Sequence, residues 1–171
     1  VVIVAQVTGE GIPDGHLYYA FVMRFLHVVC GVMWIGLLYY FNFVQIPNMP
    51  NIPDDQKPAI GKVIAPAALW WFRWGAMGTF ITGLALLGKL AIGLNNYIIV
   101  GAVFGTIMFL NVWLIIWPNQ KIALGMAEGD APAAGAKALL ASRHNVLYSA
   151  PMAFCMLASG HPDPSLGWNL Y

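Results

Sequence analysis

Apolar positions along the chain gather into four long runs, separated by polar connections that carry most of the prolines. The runs extend from about Leu17 to Ile46, Ala67 to Leu94, Tyr97 to Trp117 and Ala138 to Gly160. A bilayer core about 30 Å thick is crossed by about 20 apolar residues in a helix, so each run predicts one transmembrane helix. Aromatic residues bracket them as interfacial belts do. Tyr18 and Tyr19 mark one end of the first run, Trp70, Trp71 and Trp74 open the second, and Trp113 and Trp117 close the third. Residues 47–66 hold five prolines and predict an ordered or extended loop, because proline removes backbone donors. Pro118 is expected to stop the third helix, and residues 118–137 to form a polar loop rich in alanine and glycine. The turn at Gly93–Asn96 is short, which predicts that the second and third helices are antiparallel neighbours.

Composition strengthens this reading. Hydrophobic residues make up 60% of the 171 residues and charged residues 9%, against about 25% charged in a typical soluble domain. The chain therefore reads as a single all-α membrane domain, residues 1–171, an integral bundle of four transmembrane helices. A net charge of +1 gives no reason to expect a nucleic-acid partner. The first residues lack a basic n-region and are not expected to be a signal peptide. Cys30 and Cys155 both lie in apolar runs and are expected to be buried thiols rather than a disulfide. Lys57, Lys62, Lys121 and Lys137 fall in connections at one end of the bundle, against Lys89 at the other. By the positive-inside rule both termini face outward, on the periplasmic side of a bacterial inner membrane.

Ionisable residues within such helices are functional candidates by default. In "MRFLHVVCGVMWIG", His27 lies roughly 13 Å along its helix at 1.5 Å per residue, and Arg24, His27, Gly31 and Trp34 share a face. Two readings stand side by side. His27 ligates the iron of a flat macrocycle that uses the space left by Gly31, or it bonds to a neighbouring helix while Gly31 permits close packing. In "SRHNVLYSAP", His144 is the second candidate ligand and shares a face with Tyr148 and Pro151, while Arg143 reads as an interfacial arginine contacting lipid phosphate. His144 lies roughly 24 Å from the outer face by the same helical rise, so one iron does not reach both histidines. Arg73, among tryptophans, is either an interfacial arginine or the partner of a cofactor carboxylate, which a guanidinium binds bidentately. Asn111 predicts a helix–helix hydrogen bond and Gly101-x-x-x-Gly105 close packing. His16 and His161 are expected at the outer surface as solvated side chains.

The stretches "RFLHVVCGVMWIGLLYYF", "WFRWGAMGTFITG", "GTIMFLNVWLIIWPNQK" and "SRHNVLYSAPMAFCMLASGHP" resemble the membrane domain of bacterial membrane-bound urate hydroxylase, the urate oxidase N-terminal domain family, from about Tyr18 to Pro162. There is no C-x-x-C-H, so no covalent haem c is expected here, and the resemblance is to a short form without the cytochrome c domain. It implies a helical membrane domain coupled to redox chemistry. The expectation is a haem b protein of an electron-transfer or respiratory complex, with His27 and His144 as candidate iron ligands and Arg24, Gly31, Arg73, Arg143 and Tyr148 around the cofactor. Its partners would be the lipid bilayer and other membrane subunits or a cytochrome c. The alternatives are a structural subunit without a cofactor, and a urate hydroxylase-like oxidoreductase working as a homodimer.

Overall fold

The computed structural model describes residues 15–89 and 95–160, with side chains from Tyr18 to Gly88 and from Asn95 to Gly160. The described residues are all-α and contain no strand: α1 (Gly15–Tyr39), α2 (Ala65–Lys89), α3 (Asn96–Leu110) and α4 (Ala131–Ala158). The Gly93–Asn96 turn falls largely outside the described residues, as do His161 and the side chains of His16 and Lys89.

The prolines do not break the chain where the sequence predicts. α1 runs on through a π-helical segment, Tyr40–Gln45, into Ile46–Asn48, and α3 runs on through Asn111–Ile116 into Trp117–Ala123. A third π-helical segment, Ile60–Ile64, leads into α2. Each of the three is followed within two residues by a proline: Pro47, Pro66 and Pro118. A proline ring collides with the carbonyl four residues earlier and offers no N–H to it. Widening the preceding turn moves that carbonyl away, so the helix passes the proline instead of ending. Residues 47–66 accordingly fold into short helical turns rather than an extended loop. Asn95 caps α3 by accepting from the Ile98 amide at 2.9 Å, and Asp130 caps α4 by accepting from the Ala133 amide at 3.1 Å, which satisfies donors that the first turn leaves open.

The helices alternate in direction. His27 meets Thr82 and Trp34 meets Gly75, so α1 and α2 are antiparallel and tightly paired. Gly101 meets Cys155 and Asn111 meets Asn145, so α3 and α4 form a second antiparallel pair. Between the pairs, Phe80 stacks on Phe109 with centroids 4.1 Å apart, and Tyr39 donates to Ser149 at 2.7 Å. Trp34, Leu38, Phe72, Met108, Val112 and Ile116 fill the centre. The face α4 buries is made of small residues, Ala134, Ala138, Ala141, Asn145, Ser149 and Cys155, which lets the backbones approach closely. Cys30 and Cys155 are both free thiols, Cys155 buried and Cys30 half-buried.

Two continuous helical stretches, Tyr18–Asn51 and Asn96–Ala123, are long and apolar enough to cross a membrane. α2 and α4 are comparably long, 25 and 28 residues, but Arg73 interrupts the first and Arg143, His144 and Asn145 the second.

Candidate functional site

α2 carries glycines where α1 comes closest. A side chain at Gly75 would meet the backbone of Trp34 and Cys30 at 3.2 and 3.3 Å, and one at Gly78 would meet the Cys30 sulfur at 2.6 Å. A Cβ at Gly83 would lie 3.1 Å from Cε1 of His27. The missing side chain at Gly83 is therefore what admits the imidazole into the seam. Gly31 faces the same seam: a Cβ there would meet only the Thr79 methyl of α2, at 4.0 Å, an ordinary contact.

The hydrogen bonds at His27 identify its tautomer. Nδ1 lies 2.9 Å from the Thr79 carbonyl oxygen and 3.1 Å from Thr82 Oγ1. A carbonyl accepts, so Nδ1 carries the proton. Thr82 sends its own hydroxyl proton to the Gly78 carbonyl at 2.6 Å, leaving its oxygen to accept from His27 as well. In a neutral imidazole with Nδ1 protonated, Nε2 holds the free lone pair. A histidine fixed in this way by a backbone carbonyl is oriented as metal-ligating histidines are.

His27 lines a cavity of about 290 Å³ at the end of the bundle where α1 and α3 begin. All four helices contribute: Arg24 and His27 from α1, Thr79 and Gly83 from α2, Gly105 and Thr106 from α3, Met152 and Met156 from α4. Trp34 also forms part of the wall, and its buried indole N–H has no acceptor. The walls are otherwise apolar, and this combination of an apolar cavity with a few convergent polar groups is the usual form of a small-molecule site. The Gly101-x-x-x-Gly105 pair divides its roles. A Cβ at Gly101 would meet the Cys155 and Met156 side chains at 3.3 Å, while one at Gly105, in the cavity wall, would meet nothing within 4 Å.

The other predicted residues lie elsewhere. His144 is exposed, and its Nδ1 donates to the Leu140 carbonyl of its own helix at 2.9 Å. It is near Tyr148, with ring centroids 6.1 Å apart, and neither lines the cavity of His27. Arg143 is exposed. Arg73 is buried between α2 and α3, its guanidinium carbon 3.5 Å from the centroid of Trp117, and does not line the cavity. Among the candidates, then, the cavity gathers Arg24 and His27. Asn111 makes the interhelical bond its position predicts: its amide donates to Asn145 Oδ1 at 2.9 Å, and Asn145 in turn donates to the Met108 carbonyl at 3.0 Å.

Thr79, Thr82, Gly83, Met152 and Met156 are site residues that the sequence reading did not single out. The signal for the first three was the spacing of glycines and threonines in "GAMGTFITG", which places small and hydroxyl residues along the face that meets α1. The methionines carry no such signal. Among the described residues no group of three or more histidine, cysteine or acidic side chains gathers to hold a metal ion.

No curated protein and no solved structure matches the chain. The matched segment begins at the last residue of α2 and takes in α3 and α4, the helices bearing "GTIMFLNVWLIIWPNQK" and "SRHNVLYSAPMAFCMLASGHP", while His27 and Arg73 precede it. Residues 89–165 match the family model described as urate oxidase N-terminal, in agreement with the resemblance of these two motifs.

Proposed function

We propose that the chain is a four-helix integral membrane protein that holds haem b on His27 as a subunit of an electron-transfer assembly. The observation that carries this reading is the fixed His27 tautomer, with Nδ1–H given to the Thr79 carbonyl and the remaining nitrogen on a ring that lines the cavity. Histidine is the common axial ligand of haem iron. The residues present suit the group. His27 supplies one nitrogen, Arg24 a cation for a propionate and Trp34 an unpaired N–H, within walls that are otherwise apolar. Bound there, haem b would carry one electron at a time. The chain's own contribution is to fix the imidazole, keep its Nε2 unprotonated and shield the site.

The membrane placement is supported by the outer surface of the bundle, where large apolar side chains such as Phe25, Val32, Leu114, Leu147 and Leu157 are exposed. Water-soluble monomers rarely present apolar surface so continuously. Lys57, Lys62, Lys121 and Lys137 all lie at the end of the bundle opposite His27, which supports both termini facing outward across a bacterial inner membrane. The family match supports an oxidoreductase-like setting.

One observation favours a second reading, an accessory subunit without a cofactor. His144 is not in the cavity, so His27 is the single histidine lining it among the described residues. A urate hydroxylase-like activity rests on the family match alone and would show as urate turnover with a cytochrome c acceptor.

The test is an optical spectrum of the purified chain in mild detergent, oxidised and then reduced with dithionite, together with a pyridine haemochrome assay. Haem b near one per chain is expected. Folded, helical protein without haem would leave the accessory reading.

A further inference from the structure

We propose that Arg73, Trp117 and Lys121 form a second site, at the end of the bundle opposite the cavity, which binds the phosphate of an anionic lipid headgroup. Arg73 is only 9% exposed, yet no acidic side chain among the described residues lies within ion-pair distance of it. The one ion pair found there joins Lys57 and Asp54. Its guanidinium instead stacks on Trp117, 3.5 Å from the ring centroid. Stacking uses the face of the guanidinium. The N–H donors lie in its plane and remain for a ligand, in the fork geometry that suits phosphate oxygens.

A second cation stands at the same ring. Lys121 Nζ lies 5.5 Å from the Trp117 centroid. An anion bound beside this ring would offset the repulsion between the two positive groups. About one helical turn before Trp117, Trp113 also meets α2, against Trp74, and its buried indole N–H has no acceptor. The buried Gln120 Oε1 also has no partner, but a neutral amide does not offset a guanidinium charge. Exposed Trp70, Trp71 and Trp74 surround Arg73 in sequence, as aromatic residues do at headgroup depth. Basic pockets between helices on the cytoplasmic side are where anionic headgroups bind.

The phosphate source rests on the membrane placement proposed above, but the site is independent of haem. Its test uses the purified chain in mild detergent, with thermal unfolding and intact-complex mass spectrometry after adding short-chain phosphatidylglycerol, phosphatidylcholine or inorganic phosphate. Phosphatidylglycerol is expected to raise the unfolding midpoint and to be retained in the complex, with phosphatidylcholine doing neither. Arg73→Gln and Lys121→Gln should each weaken phosphatidylglycerol binding by tenfold or more. Should Arg73→Gln fail to fold, Arg73→Lys, which keeps the charge and loses the fork, carries the test with Lys121→Gln. An equal response to inorganic phosphate would keep the anion site and assign it to a soluble phosphate. Equal binding of the two lipids, or binding unchanged in the folded variants, would overturn the proposal. The haem spectrum of the same samples reports on the other site separately.

Discussion

His27 and Asn145 are both polar side chains at a helix seam, and they end differently. Asn145 is fully buried. It accepts from Asn111 and donates to the Met108 carbonyl, so its amide group is bonded through both its oxygen and its nitrogen. His27 is half-buried. It spends one nitrogen on α2 and keeps the other on a ring at the wall of a cavity. A closed network between helices holds them together and fixes their register. A polar group held on one side keeps a ring nitrogen that the helix pairing does not use. Depth along the helix does not separate the two residues, since both lie well inside their helices; their bonding does.

The largest expected effect is on cofactor content. His27→Ala should abolish the reduced-minus-oxidised haem b difference spectrum while far-ultraviolet circular dichroism stays helical. An unchanged spectrum would remove His27 as a ligand and reduce it to a second Asn145. Next in size is Asn145→Ala, which deletes two interhelical bonds. Such bonds in membrane bundles average about 0.6 kcal/mol and reach about 1.7 each, so a loss of about 1–3 kcal/mol is expected. It should appear as a drop of a few degrees in unfolding midpoint, with haem per folded chain unchanged. Loss of haem without loss of stability would reverse the assignment of the two residues. Gly83→Ala sharpens the comparison further. The new methyl would stand 3.1 Å from Cε1 of His27 and displace the ring by a few tenths of an ångström, so the expected result is a folded chain with a shifted or weakened haem spectrum. The smallest effect is expected from His144→Ala. This exposed side chain bonds within its own helix, and surface changes of that kind stay within about 0.5 kcal/mol. A lost haem signal in that variant would place a ligand where the structure shows none.

The two seams also differ in how much the sequence announced. Asn111 and the glycine pair 101 and 105 pointed to a helix–helix contact, and one was found, although Asn145 as the partner was not named. His27 and Arg24 were singled out because charge inside an apolar run demands a reason, and both line the cavity. His144 demanded a reason equally and received a different one, because rotation around α4 turns it outward and gives the buried face to alanine, asparagine and serine. Gly31 was read either as space for a ligand or as a close-packing position; it faces Thr79 on α2 and does not line the cavity. Of the two glycines that line the cavity, Gly83 and Gly105, the open one is Gly105, on α3.

The run lengths, the scarcity of charge and the position of the basic residues are local properties, and they determined an all-α chain with four long helices and an apolar exterior. Periodicity also told which residues of one helix share a face. What it did not tell is which face meets which neighbour, because that depends on the approach of two backbones. Gly75, Gly78 and Gly83 set that approach for α1 and α2, and with it the tautomer of His27. The π-helical turns before Pro47, Pro66 and Pro118 shift the register of the residues that follow by an amount no fixed period predicts, and Trp117, directly after one of them, lies over Arg73. Side chains that lie far apart along the chain become one site through such choices, and only the tertiary structure makes them.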